Sequence, residues 1–145
     1  MKYLKWIIIA VLTAVLIIAS LVFIYFKANF LSVNTNFAET ITLEVRDYHN
    51  REGFAVQINQ EDVATLKKLF RGMAFGDSPA CPFGSVALIF SAENRTVTLY
   101  PAGDDCGLVR IIHNGQNYYL ILNEEDNRLM REVLEKYGVG LMFGI

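Results

Sequence analysis

Two cysteines, two histidines and one pair of adjacent aspartates hold most of the reactive chemistry this 145-residue chain could offer. Cys81 and Cys106 have 24 residues between them. A dithiol redox centre is ordinarily spaced C-x-x-C, and structural zinc asks for four close ligands. His49 and His113 stand at no ligand spacing from either cysteine. In an oxidising compartment an even pair reads as a structural disulfide, with free thiols and metal or redox use as the alternatives. Closing a loop of about 25 residues stabilises a fold by roughly 3 kcal/mol in the chain-entropy model. Asp104-Asp105, between Gly103 and Gly107, supplies two carboxylates where a calcium loop needs more oxygen donors, so it reads as a solvated turn. His113 closes a predicted strand and becomes a general base only if folding brings it a partner. The chain has no G-x-S-x-G, H-E-x-x-H, Walker loop or G-x-G-x-x-G, so no catalytic residue, metal ligand or cofactor is assigned.

Whatever these residues do, one segment decides where they do it. Trp6 to Phe26 is an uncharged run of 21 residues, interrupted in polarity only by Thr13 and Ser20. A helix of that length spans roughly 30 Å, the hydrocarbon thickness of a bilayer. Lys2, Lys5 and the α-amino group precede the run, whereas Lys27 alone follows it before Glu39. The positive-inside rule then keeps residues 1–5 cytoplasmic and carries the remainder outward. A cleaved signal peptide has a shorter apolar region followed by small residues, and Phe26-Lys27-Ala28-Asn29 supplies no such site. The expectation is an uncleaved signal anchor at 6–26, a stalk at 27–40 and an extracytoplasmic domain at 41–145, held to the cell membrane through a single pass.

Setting aside Lys2, Lys5 and Lys27 leaves ten cationic against fifteen acidic side chains, a formal charge of −5. That balance argues against nucleic acid as a partner. Lys67, Lys68 and Arg71 are the densest basic group and fit the solvated side of one helix better than a phosphate-binding patch. A negative domain also has no electrostatic attraction to anionic lipid, which leaves the anchor itself to hold it at the membrane.

Strict alternation predicts strands at 41–45 and 54–58, joined through the turn His49–Gly53. Asn59 then caps a helix with Asp62 three residues on, and Val63, Leu66, Phe70 and Met73 at helical spacing carry that helix to Gly72. Two hairpins follow. The first pairs 86–90 with 96–100 through Ala92–Arg95, where Asn94-Arg95-Thr96 matches a glycosylation sequon and reads as a polar turn. The second pairs 108–112 with 118–122 through Asn114-Gly115. Asn123, with Asp126 three residues on, caps a final helix whose buried stripe is Leu129, Met130, Val133, Leu134 and Tyr137, and Gly138 stops it. The segments 54–62 and 118–126 align without gaps, as two strand–Asn–helix junctions governed by the same capping physics will. The apolar tail Val139–Ile145 is expected to dock on the core. The order ββαββββα implies an α+β domain, an antiparallel sheet of five to six strands with two helices on one face.

The segments Ser78-Pro79-Ala80-Cys81-Pro82-Phe83-Gly84, Asp104-Asp105-Cys106 and Glu135-Lys136-Tyr137-Gly138 together resemble a pattern in small uncharacterised exported proteins of Firmicutes. That pattern runs S-P-x-C-x-F, strand pair, D-x-C, strand pair, and a helix ending in Y-G. The resemblance covers about residues 60–138. It implies that Cys81 pairs with Cys106 and brings no activity with it. The bridge would gather the loops Phe75–Gly84 and Pro101–Gly107 at one end of the sheet, exposing Phe75, Asp77, Pro79, Phe83, Asp104 and Asp105 as a binding rim. The expected function is a membrane-anchored binding or sensing module without catalytic activity, for an envelope protein or ligand. The alternative is a cell-envelope hydrolase using His113 or Asp104/Asp105.

Overall fold

A computed structural model describes residues 2–46, 52–75, 79–104, 106–113 and 115–139, with the side chains of Lys2 and His113 outside that description. The chain divides into two units, one ending at Phe30 and one beginning at Leu31.

The first unit is the helix α1, Lys2–Asn29. It is long and apolar enough to cross a membrane, and none of its apolar window is buried inside the fold. It runs past the 6–26 stretch at both ends because Tyr3, Leu4, Lys27 and Ala28 carry no helix-breaking feature. Its two polar interruptions are satisfied within the helix. The Thr13 hydroxyl donates to the Ile9 carbonyl at 2.9 Å and the Ser20 hydroxyl to the Leu16 carbonyl at 2.8 Å. A hydrocarbon environment demands that internal satisfaction.

The second unit is α+β. Its strands are β1 (Phe30–Ser32), β2 (Thr40–Val45), β3 (Phe54–Gln57), β4 (Arg71–Phe75), β5 (Val86–Ala92), β6 (Arg95–Pro101), β7 (Leu108–His113) and β8 (Gln116–Ile121). Its helices are α2 (Gln60–Leu66) and α3 (Glu124–Lys136). All eight strands form one sheet in the order β1-β4-β8-β7-β6-β5-β2-β3. The three expected hairpins are present, antiparallel, as β2–β3, β5–β6 and β7–β8. Gly115, with φ of 76°, takes the left-handed conformation that a two-residue turn between His113 and Gln116 requires.

Residues directly opposite in a sheet share a face. The registers Ile41↔Phe90, Leu88↔Leu99, Leu99↔Ile111 and Val109↔Leu120 therefore define one face. These residues form a single buried cluster with Val63 and Leu66 of α2 and with Met130, Val133 and Leu134 of α3. Both helices thus cover that face. Both caps form as their sequences require: the Asn59 side chain accepts from the Asp62 N–H, and the Asn123 side chain from the Asp126 N–H, each at 2.8 Å.

The sheet has eight strands where the alternation predicts five or six, and the difference has two sources. Helix α2 ends at Leu66 rather than near Gly72, and Arg71–Phe75 instead forms β4 against β8. Phe70 continues the helical spacing because the turn after α2 still points it into the core, edge-on to Phe90 with ring centroids 5.5 Å apart. Within the segment read as a stalk, Phe30–Ser32 forms β1, and Thr35 and Ala38 are each 1% exposed. Val139 is buried, while the docking expected of residues 140–145 lies outside the described residues.

Candidate functional site

The second face of the sheet carries the other alternating set. In register across four strands lie Phe75↔Tyr119, Tyr119↔Arg110 and Arg110↔Tyr100. These four side chains therefore stand in one row on the face without helices. Alternation adds Ile112 and Ile121 to the same face, exposed at 43% and 37%.

A loop folds back over this row. Cys81 is bonded to Cys106, which ties the segment 79–85 to the turn between β6 and β7. The Gly103 N–H donates to the Pro82 carbonyl at 2.8 Å, and the Arg46 N–H to the Ser85 carbonyl at 2.8 Å. Beneath the loop, Ala87 and Leu108 are buried although neither joins the helix-side cluster. Gly84 has φ of 107°, and a Cβ there would stand 3.6 Å from an Arg110 terminal nitrogen. Glycine at this corner lets the loop turn sharply and approach the guanidinium.

The loop delivers Phe83 to the row. Its ring centroid lies 5.5 Å from that of Tyr119. The Arg110 guanidinium carbon lies 5.6 Å from the Phe83 centroid and 4.7 Å from the Tyr100 centroid. Cation–π attraction holds a guanidinium in such a frame without consuming its hydrogen-bond donors. Among the described residues no acceptor engages Arg110, and its Nε is buried without a hydrogen-bond partner. A desolvated donor left unmatched is costly, which marks this guanidinium as a candidate anchor for an acceptor.

The expected rim maps onto this place unevenly. Phe75 is half-buried at the β4 end of the row, Phe83 sits over it, and Pro79 is half-buried at the start of the loop. Asp77 and Asp105 lie outside the described residues. Asp104 is half-buried: its carbonyl accepts from an Arg131 terminal nitrogen at 2.7 Å, and its carboxylate lies within 4.8 Å of both cysteine sulfurs. With the sulfurs bonded to each other, neither is a thiolate free to ligate a metal. His113 ends β7 opposite Gln116. The hydrolase alternative rests on His113 or the Asp104/Asp105 pair; Asp105 and the side chain of His113 lie outside the described residues, and Asp104 stands beside the disulfide.

Tyr100, Arg110 and Tyr119 are absent from the expected rim. The alternation that places Leu99, Val109, Ile111 and Leu120 inward places these three outward, and the hairpin registers then bring them together. Comparison with protein-family models, with curated proteins and with solved structures returns no match.

Proposed function

We infer that this protein is a single-pass, membrane-anchored recognition module whose α+β domain lies outside the cytoplasm and binds a protein partner through the face centred on Arg110. The observation that carries the reading is the Arg110 guanidinium, stacked against Phe83 and Tyr100 beside Tyr119, which no carboxylate engages among the described residues. Arginine and tyrosine dominate the energetic centres of protein interfaces, where an aromatic frame excludes water around a charged anchor. The complementary group is a carboxylate on the partner, since a guanidinium and a carboxylate meet in a bidentate, charge-assisted pair. Ile112 and Ile121 extend the patch with exposed apolar surface.

Two independent features support the outward orientation. The Lys-rich flank precedes the apolar helix, and the Cys81–Cys106 bridge suits an oxidising compartment. The resemblance to exported proteins of Firmicutes is consistent with both and would put the chain in a bacterial envelope.

The test is site-specific photo-crosslinking of the full chain in its membrane. A photoreactive residue at Ile112 or Ile121 should capture a partner that the same residue at Glu132, on exposed α3 surface, does not. Arg110→Met keeps the packing volume and removes the charge, and it should weaken capture roughly 30-fold, as expected for an interface anchor. Equal capture from Ile112, Ile121 and Glu132, or full capture by a folded Arg110→Met variant, would place recognition elsewhere.

A further inference from the structure

Lys67, Lys68 and Arg71 do not lie along one side of a helix. Lys67 is the C-terminal cap of α2, Lys68 belongs to the following turn and Arg71 opens β4. The turn faces the segment 32–36 across a cleft of about 390 Å³. Ser32, Asn34 and Asn36 line one wall and the three cations line the other. Two hydrogen bonds fix the walls relative to each other. The buried Thr35 hydroxyl donates to the Lys67 carbonyl at 2.8 Å, and the Val33 N–H donates to the Phe70 carbonyl at 2.9 Å.

The charge in this cleft is not compensated. Arg128 pairs with Glu125 and Glu132, and Lys136 pairs with Asp62, yet among the described residues no carboxylate pairs with Lys67, Lys68 or Arg71. This holds in a domain with five more acids than bases. Three cations converge with two amides and a hydroxyl, a donor set suited to an anion with several acceptor oxygens. Phosphate chemistry meets that description, with arginine able to grip two oxygens and lysine acting as a point charge.

The source of the phosphate follows from chain connectivity. Ser32 is three residues past Asn29, the last residue of α1, and an extended chain covers at most about 3.6 Å per residue. With α1 in a bilayer, the Ser32 wall is tethered within roughly 11 Å of the helix end, at headgroup depth. We propose that the cleft holds the phosphate of an anionic phospholipid headgroup, giving the domain a second, specific hold on the membrane beside α1. The headgroup as source rests on α1 being a membrane anchor; the affinity for phosphate does not.

Calorimetric titration of the full chain in neutral detergent separates these points. The titrants are dihexanoyl phosphatidylglycerol, dihexanoyl phosphatidylcholine and inorganic phosphate. Saturable 1:1 binding of phosphatidylglycerol, stronger than that of either other titrant, is expected. Each of Lys67→Gln, Lys68→Gln and Arg71→Gln should weaken it about fivefold. Asn36→Asp, which leaves every cation in place at an exposed position, should also weaken it. Inorganic phosphate binding as tightly as phosphatidylglycerol would overturn the headgroup assignment and leave a free-phosphate site. Unchanged binding in all four folded variants, or no binding of any titrant, would overturn the cleft itself.

Discussion

Asp62 shows how a single side chain joins distant parts of this fold. It is 3% exposed and accepts from Lys136 Nζ at 2.7 Å and from the Tyr137 hydroxyl at 3.0 Å, while the same Tyr137 oxygen accepts from the Asn59 N–H at 2.9 Å. Burial pushes the carboxyl up. The hydrogen bonds from Lys136 and Tyr137, with the Lys136 charge and the Asn59 contact, outweigh that and hold it below the usual carboxylate value. A carboxyl depressed in the folded state contributes stability above its unfolded value and loses it as pH falls through the folded one. Asp62→Asn should therefore destabilise the domain at neutral pH by about 1–3 kcal/mol, and the gap from wild type should narrow below pH 3.8, the unfolded value. Denaturant melts at several pH values measure it, and a gap independent of pH would contradict the assignment. The Asn59 and Asn123 caps are legible in sequence because capping is local. The Asp62–Tyr137 contact is not, because its partners stand 75 residues apart and only the α2–α3 packing brings them together. Arg110 falls between these cases: its outward position is local, but its aromatic frame depends on the Cys81 loop.

Strands β2, β3 and β5–β8 are legible because alternation and short turns specify them without reference to the rest of the chain. β4 is not, because the periodicity of Leu66, Phe70 and Met73 imitates a helix that the turn at 67–69 has already ended. β1 has three residues and exists only because β4 offers an edge, so missing one strand hides the other. Gly72 carries the physical signal. A Cβ at this position would overlap the Ile121 carbonyl oxygen across the β4–β8 pair, an approach that glycine alone permits. Gly72→Ala should cost about 1–3 kcal/mol, as overpacking does, and should speed amide exchange along β8 near Leu120 and Ile121 while leaving the β5–β6 hairpin protected. Uniform exchange unchanged from wild type would show that β4 does not pair there. The same β4 positions Phe75 at the end of the row it forms with Tyr119, Arg110 and Tyr100, so this strand belongs to the proposed site as well as to the sheet.

Across the whole molecule, charge and covalent linkage divide the work. The helix α1 offers no charge from Trp6 to Phe26. Among the described residues, the acidic domain carries cations without a carboxylate partner in the aromatic frame of Arg110 and in the cleft after α2. The bridge between Cys81 and Cys106 spans 25 residues of sequence and is the one covalent restraint on the loop that frames Arg110. Recognition through that face requires the loop to be stapled and the domain to stand outside the cytoplasm. Both requirements can be read at once by labelling thiols on intact cells with a membrane-impermeant maleimide, with and without prior reduction by an impermeant phosphine. Labelling of two thiols only after reduction is the expected result. Labelling without reduction would contradict the staple, and labelling that appears only once the cells are permeabilised would contradict the outward domain.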